Sequence, residues 1–333
     1  MREFEYARGA SLQQIVAGLG ANAAIIAGGT ELLNWMRLGI ADPPRIIDLG
    51  GVDGLDRISR EGDHLTVGAL ATLNMIGEDP LVLAHATALG QACLLAASAQ
   101  VRNRATIGGN VLQKTRCPYF RSEVPLPWGC NKRQPGSGCA ARNGINARHA
   151  IFGWTDACVA VQPSDPAVAL SCLDAEAEVV GASGCRFIPM KEFHLTQQEA
   201  AALGSDGAEL ETRLAPDEII VAYRIPVRNG ARSAYVKVRE RASYEYALVS
   251  AAACVELDAD RIARTDIALG SVAQRPWRLA TESLVGASPS REALAPLIQA
   301  AMSDARPLPQ NAYKVTMACN AAVRALLTAA GQS

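Results

Sequence analysis

The sequence lacks the features that mark several large classes of protein. None of its apolar runs reaches the 18 residues that suggest a membrane-spanning helix. The net charge is only -1, which argues against a globally basic nucleic-acid binder, and a hydrophobic content of 49% excludes a disordered chain. Charged residues occupy Met1–Arg8, where a signal peptide needs an apolar stretch. We therefore expect no membrane span and no export signal on this chain.

Aromatic residues are also scarce, at 5%, so we expect a core built mainly from Ala, Val, Leu and Ile. The 333 residues amount to about two domain lengths, which predicts two or three packed units. Short apolar runs separated by a helical pattern indicate a small α/β unit in the first ~60 residues. After about residue 228, strand patterns are followed by helical patterns, which is typical of an α+β domain.

Local patterns predict individual elements as well. A hairpin is expected to join Leu55–Ser59 to His64–Val67, and a polar turn is expected over Arg102–Asn110. Near the C-terminus, helices are expected over Arg278–Val285 and Ala312–Ala330.

Residues 111–158 show neither the strand period nor the helix period. A structureless loop of about 40 residues is uncommon in a compact domain and is usually functional or anchored. Within it, residues 114–149 carry seven basic side chains against one acid, a net charge of +6, so the rest of the chain carries -7. Of the nine cysteines, Cys117, Cys130 and Cys139 lie in residues 114–149, and Cys158 follows just beyond.

Positive neighbours favour thiolate over thiol, and thiolates are the form of cysteine that binds metals. Four thiolates around iron and sulfide would form an anionic centre that Arg and Lys stabilise, and it would keep the loop ordered. The residues alone leave other interpretations open, namely two disulfides, unrelated free cysteines, or a basic loop that docks a polyanion. A zinc site is also open, although zinc usually shows close Cys-x2-4-Cys pairs, which are missing here.

Two glycine pairs stand out, in Ala27–Thr30 and in Thr106–Asn110. The first follows an apolar run and precedes a helical pattern, so its backbone N–H groups would suit a diphosphate. The pattern is neither G-x-G-x-x-G nor a Walker sequence, and a simple tight turn remains the alternative.

Five motifs occur together in the chain: Ala27–Thr30, Arg102–Asn110, Ser164–Pro166, Lys237–Arg239 and Tyr246–Ser250. Together they resemble the FAD-binding medium subunits of the xanthine dehydrogenase and carbon monoxide dehydrogenase family. The cysteine segment, from Lys114 through Arg148-His149-Ala150 to Cys158, is similar to the FAD subunit of periplasmic aldehyde oxidoreductases, which carries a 4Fe–4S cluster in an inserted loop.

The resemblance implies an α+β protein. Its first part would be the two-part FAD-binding domain of the p-cresol methylhydroxylase type, over residues 1–227. This domain would include the small α/β part at 1–60 and the inserted iron–sulfur loop at 111–158. Residues 228–333 would form a C-terminal α+β domain like that of carbon monoxide dehydrogenase flavoproteins.

The resemblance also implies a function. The chain would be the FAD and 4Fe–4S electron-transfer subunit of a molybdenum-dependent aldehyde oxidoreductase, working with a large molybdenum-cofactor subunit, a small 2Fe–2S subunit and an external electron acceptor. The same role in another molybdenum hydroxylase or an aryl-CoA reductase is the alternative, and a non-enzymatic polyanion-binding protein is the distant one. The compartment is either the periplasm, by co-export with a signal-bearing partner, or the cytoplasm.

The site residues follow from the matching motifs. The cluster ligands would be Cys117, Cys130, Cys139 and Cys158, with no general acid, base or nucleophile on this chain. The FAD-binding residues would be Ile25, Ile26, Ala27, Gly28, Gly29, Thr30, Glu31, Leu32, Thr106, Gly109, Asn110, Asp165, Ile220 and Lys237. Of these, Asp165 could also be a helix N-cap, Ile220 a simple core residue, and Lys237 either a cation that stabilises reduced flavin or a solvated strand residue.

Overall fold

The computed structural model describes residues 2–20, 22–205 and 208–332. Within these ranges the chain forms three β-sheets with helices packed on them. This mixed architecture confirms the predicted α+β class. No helix in the described part of the chain combines the length and the hydropathy that a bilayer crossing requires.

The first sheet has three parallel strands in the order β1-β3-β2: β1 Glu5–Arg8, β2 Ala23–Ile26 and β3 Arg45–Asp48. Helix α1, Leu12–Gly18, begins at Ser11, whose side chain accepts a hydrogen bond from the N–H of Gln14. Helix α2, Leu32–Arg37, follows β2. Since parallel strands need crossovers, the two helices return the chain across the sheet, and Ile15 of α1 is buried in one cluster with Ile47 of β3.

The second sheet has five antiparallel strands in the order β4-β5-β8-β6-β7. The strands are β4 Ile58–Glu61, β5 His64–Gly68, β6 Glu176–Gly181, β7 Gly184–Pro189 and β8 Ile219–Pro226. The helices of this part are α3 Leu73–Glu78, α4 Pro80–His85, α5 Thr87–Leu95, α6 Ala99–Arg102, α7 Ile107–Val111, α8 Asp165–Cys172, α9 Met190–Phe193 and α10 Gln197–Ala202. Because α5 and α8 also pack on the third sheet, they join the two halves of the molecule.

The third sheet is antiparallel, in the order β12-β11-β10-β9. Its elements are β9 Arg232–Val238, β10 Val249–Asp258, β11 Arg261–Gly270, β12 Trp277–Arg278, α11 Arg291–Ala300 and α12 Tyr313–Ala330. Alanines dominate the contact between the sheet and α12, among them Ala251, Ala253, Ala322 and Ala325. This agrees with the expectation of a core poor in aromatic residues.

Three local predictions need correction. The helix predicted over Arg278–Val285 is wrong, because Trp277–Arg278 pairs with β11 and only Glu282–Leu284 makes a 3₁₀ turn. The polar turn predicted over Arg102–Asn110 contains the end of α6 and most of α7. The hairpin's first strand begins at Ile58 rather than Leu55.

An ion-pair network joins helix α8 to the third sheet. Asp174, just after α8, lies 3.0 Å from Arg278 Nη1, and Asp266 on β11 lies 2.9 Å from Arg228 Nη1. Arg278 also pairs with Asp266, and Arg264 contacts both acids. These five side chains, called the junction network below, hold the two halves together at their boundary.

Candidate cofactor site

The first glycine pair lies in the turn from β2 to α2. Gly29 has a φ of +76°, the left-handed region that glycine adopts without strain. A Cβ on Gly28 would lie 1.8 Å from the carbonyl oxygen of Arg104, so no side chain fits there. Gly28 therefore allows this turn to touch the loop that precedes the second glycine pair.

The second glycine pair lies inside α7 rather than in a turn. Thr106 caps this helix, and its hydroxyl accepts a hydrogen bond from the N–H of Gly109 over 3.4 Å. Asn110 Oδ1 accepts hydrogen bonds from Ser164 Oγ at 2.7 Å and from Gln113 Nε2 at 3.2 Å. The side chains of this motif are thus oriented by local bonds at the wall of the cleft.

A cleft with a volume of about 200 Å³ is lined by the two glycine-containing segments and by the start of β8. It opens into a second cavity of about 440 Å³, with which it shares Thr30 and Glu31. A third cavity of about 390 Å³, on the other side of Gly28, shares Ala27, Gly28, Leu70 and Thr106 with the first. The three cavities adjoin one another along the turn of the first glycine pair, because the second and the third each share lining residues with the first.

Thirteen of the fourteen predicted cofactor residues line this site. The first cavity is lined by Ile25, Ile26, Ala27, Gly28, Gly29, Thr30, Glu31, Leu32, Thr106, Gly109 and Ile220. Asn110 and Asp165 line the second. Lys237 lines neither and lies behind Asp165.

Asp165 and Lys237 form a buried ion pair. Lys237 Nζ lies 2.7 Å from Asp165 Oδ2 and also donates to the carbonyl oxygen of Leu95. The Lys237 side chain is 1% exposed, so its interpretation as a solvated strand lysine is wrong. The N-cap interpretation of Asp165 is wrong too, since Ser164 caps α8 and the other carboxylate oxygen of Asp165 accepts a bond from the hydroxyl of Tyr235.

Sequence reasoning missed several residues of the site. Trp35, Leu70 and Leu214 add apolar surface to the first cavity, and Arg116 and Tyr246 line the second. A sequence signal was available for Trp35: it lies four residues after Glu31, and residues four apart on a helix share a face. In the structure its indole N–H donates a hydrogen bond to Glu31 Oε2 at 2.7 Å. Leu214 lies outside all five recognised motifs.

The four loop cysteines come together. Cys117, Cys130, Cys139 and Cys158 line one small cavity of about 20 Å³. A backbone bridge pairs Cys130 with Cys139, and the isolated bridge Thr155–Cys158 turns the last cysteine back toward them. Across residues 2–20, 22–205 and 208–332, no three or more His, Cys, Asp or Glu side chains are arranged so that they could hold a metal ion.

The expectation that the basic residues keep all four cysteines as thiolates is wrong for this arrangement. Burial raises the pKa of Cys117 to about 12 and also raises the pKa of Cys130. A hydrogen bond from Cys158 lowers the pKa of Cys139 to about 6 and raises that of Cys158. Burial is thus the main cause of the raised pKa of Cys117 and Cys130, and the hydrogen bond with Cys139 is the main cause for Cys158.

His149 is not a surface residue. It is 4% exposed, and its Nε2 lies 3.2 Å from Cys117 Sγ. Burial, together with the charge of Lys314, lowers its pKa to about 4, so the imidazole is neutral at pH 7. Lys314 Nζ on α12 donates hydrogen bonds to the carbonyl oxygens of His149 and Ser271. These bonds attach the loop at His149 to α12.

The basic charge of the loop is matched by acids from elsewhere in the chain. Arg116 and Arg121 both pair with Glu31, and Arg142 pairs with Asp156. The other pairs are Arg148 with Glu240 and Glu245, and Lys114 and Lys132 with Glu211. The +6 segment is therefore anchored electrostatically, and this explains how a loop without regular structure packs in one place.

The Glu211 anchor predicts a pH-dependent stability. Burial raises the pKa of Glu211, but Lys132 and Lys114 overcome that effect and lower it to about 2, from 4.5. A depressed pKa stabilises the fold above pH 4.5, and this stability is lost as the pH falls toward 2. We expect Glu211→Gln to cost about 2 kcal/mol at pH 7, with the 26% exposure of Glu211 limiting the effect, and much less near pH 2.5.

Chemical denaturation of both proteins at several pH values measures this difference. Glu123→Gln, which removes an exposed acid from the same loop, is the control and should change little. A deficit of Glu211→Gln that stays constant down to pH 2.5 would contradict the assignment.

Comparison with known proteins places this site in a family. Residues 2–228 match the FAD binding domain in molybdopterin dehydrogenase, and residues 234–329 match the CO dehydrogenase flavoprotein C-terminal domain. The aldehyde oxidoreductase FAD-binding subunit PaoB of Escherichia coli (strain K12) is 39% identical over 313 residues, which cover 93% of this chain and 92% of that protein. The carbon monoxide dehydrogenase medium chain of Afipia carboxidovorans is 27% identical over 298 residues, covering 87% and 83%.

A solved structure agrees over almost the whole chain. Carbon monoxide dehydrogenase from Hydrogenophaga pseudoflava superposes with a TM-score of 0.74 at 26% identity, covering 99% of this chain and 98% of that one. The chain belongs to the FAD-binding medium subunits of the xanthine dehydrogenase and carbon monoxide dehydrogenase family. It is thus an FAD-binding subunit of a molybdenum hydroxylase, an oxidoreductase, and it is similar over nearly all its length to the aldehyde oxidoreductase subunit PaoB. The family and enzyme class predicted from the sequence are confirmed.

Proposed function

We propose that this chain is the electron-transfer subunit of a molybdenum-dependent aldehyde oxidoreductase and carries both FAD and a 4Fe–4S cluster. One observation carries the proposal: four cysteines from a 42-residue stretch line a single cavity, in a loop whose arginines are bound to the wall of the FAD cleft. Four thiolates are the ligand set that such a cluster requires. The 39% sequence identity to PaoB, which extends over 93% of the chain, favours an aldehyde as the substrate of the complex.

The cleft residues fit FAD. Gly28 and Gly29 leave their backbone open to the cavity, because neither carries a side chain that would fill it, and Thr30 continues the same turn. Ile220 and Leu214 supply an apolar wall for a ring system. The third cavity is lined by Arg8 and Arg104, whose charges suit phosphate groups.

Bound FAD supplies an acceptor that takes two electrons and can release them singly. The protein's part is to bind, orient and shield it. Asp165 keeps its position because both of its oxygens have partners, Lys237 and Tyr235, so a polar cofactor atom would meet a fixed carboxylate. The described chain needs no general acid or base for this role.

The proposal extends to the assembly. The chain would receive electrons from a small subunit with 2Fe–2S clusters, the large subunit would hold the molybdenum cofactor and oxidise the aldehyde, and an external acceptor would reoxidise the flavin. We further propose that residues 1–227 act as the FAD-binding domain, with 1–60 and 111–158 as its small part and iron–sulfur loop, and 228–333 as the C-terminal domain. Export with a signal-bearing partner would place the complex in the periplasm.

The cluster is tested by serine substitution of its ligands in the complex. We expect about four iron atoms on the native chain beyond those of the partners, and loss of these in Cys117→Ser and Cys139→Ser with FAD retained. Cys185→Ser, at an exposed cysteine outside the loop, is the matched control and should keep the iron. Anaerobically isolated native chain without iron, or normal iron in both ligand variants, would overturn the assignment.

The substrate class needs a separate experiment on the whole complex. Turnover of aromatic aldehydes to carboxylic acids, without turnover of N-heterocycles or aryl thioesters, is the expected result. Preference for an N-heterocycle or a thioester would instead assign the same electron-transfer role to another molybdenum hydroxylase or to an aryl-CoA reductase.

A further inference from the structure

Charged side chains at the wall of the FAD cleft are mostly neutralised in pairs. Asp165 is matched by Lys237, and Glu218 in the first cavity is matched by Arg186 at 2.6 Å. On the other side of the second cavity, Glu245 and Glu240 face Arg148 and Arg241, again two charges of each sign. These three groups contribute no net charge to the first and second cavities.

The group around Glu31 is different. Its carboxylate binds two arginines, Arg116 through Oε1 and Arg121 through Oε2 at 2.9 Å, so the group carries a surplus charge of +1. All three side chains are largely buried, with exposures of 15%, 22% and 13% for Glu31, Arg116 and Arg121. Burial weakens the screening of this charge by solvent.

Arg116 brings the surplus charge to the cavity itself. Its guanidinium contacts Gln113 Oε1 at 2.8 Å and lies 4.4 Å from the ring centroid of Tyr246, and all three residues line the second cavity together with Glu31. Arg116 immediately precedes Cys117 in the loop, whereas Glu31 belongs to the turn after the first glycine pair. The loop thus supplies a cation to the cleft.

We propose that Arg116, which is only partly neutralised because Arg121 shares its partner Glu31, raises the electrostatic potential at the second cavity and thereby favours reduced flavin, a role that Lys237 cannot fill while it is paired with Asp165. A flavin gains negative charge on reduction, so an unbalanced cation at the cleft wall stabilises the reduced form relative to the oxidised form. The inference depends on FAD occupying the cleft and not on the iron–sulfur cluster.

The test compares the flavin midpoint potential of the native complex with those of Arg116→Gln and Glu31→Gln. We expect Arg116→Gln to lower the potential and Glu31→Gln to raise it, each by about tenfold in the ratio of reduced to oxidised flavin, or about 30 mV. Arg142→Gln removes the same charge from an exposed pair with Asp156 in the same loop and should leave the potential unchanged. Flavin content, measured first by absorbance, shows that each variant still binds FAD.

Shifts of the midpoint potential in opposite directions distinguish an effect of charge from an effect of altered loop structure. If both substitutions shift the potential in the same direction, or if neither shifts it, the inference is wrong, because a loosened loop would act alike in both variants. If one variant loses FAD, the conservative Arg116→Lys, expected to keep the native potential, and Glu31→Asp take its place. A native complex without flavin would instead refute the proposed function, and loss of iron alone would leave this inference standing.

Discussion

Replacement of Gly28 by alanine should abolish flavin binding while the rest of the fold remains intact. The added Cβ would lie 1.8 Å from the carbonyl oxygen of Arg104, a backbone atom that cannot rotate away. The turn and the loop before α7 must then separate, at a cost of about 3 kcal/mol, the upper end of the range for overpacking. If this cost destabilises the conformation that binds FAD, the affinity for FAD drops about 100-fold.

Gly20→Ala is the matched control. It lies in the same small α/β part, and a Cβ there would meet nothing within 4 Å. We expect this variant to purify with its full flavin content, and Gly28→Ala to purify colourless but folded, as measured by absorbance and by circular dichroism. Equal flavin content in the two variants would contradict the close contact between the two segments.

Local sequence signals predicted the strand, turn and helix around the first glycine pair, and the family resemblance assigned Ile25–Leu32 to the cofactor. A strand, two glycines, a threonine and a helix are consecutive in the chain, so their geometry is decided within about ten residues, and all eight residues of Ile25–Leu32 line the cleft. The hydrophobic period of α12 likewise gave its bounds to within one residue.

Long-range pairing was not predictable in this way. Asp165 and Lys237 are 72 residues apart, and only the packing of α8 against β10, the neighbour of β9 in the sheet, shows that they bind each other. The helix predicted over Arg278–Val285 begins inside β12, because Trp277–Arg278 is hydrogen-bonded to β11. A motif can thus identify a residue as part of a site without revealing which residue neutralises its charge.

The cysteine loop combines both cases. Its net charge of +6 was visible in the sequence, and so was the need for something that anchors it. The acids that bind it come from five positions outside residues 114–149, including Glu31 and Glu211, and no local pattern connects them with the loop. The same electrostatic contacts that hold the loop in place also place Arg116 at the FAD cleft.

Removal of the Asp266 carboxylate should cause a large loss of stability. Asp266 is 11% exposed at its side chain and faces Arg228, Arg278 and Arg264 in the junction network. Asp266→Ala leaves three arginines with Asp174 and with Glu256, which lies 3.5 Å from Arg228. Breaking a largely buried ion pair costs about 3 kcal/mol or more because the remaining charges stay desolvated. We expect a lower midpoint of thermal unfolding for the FAD-loaded protein.

The control for this substitution is Asp260→Ala, at an exposed acid in the turn between β10 and β11. It removes the same charge from the same sheet and should change stability by no more than about 0.5 kcal/mol. High salt distinguishes the two further, since it screens exposed charges more than buried ones. A loss below about 1 kcal/mol for Asp266→Ala would mean that apolar packing of α5 and α8, and not the junction network, holds the third sheet to the FAD-binding part.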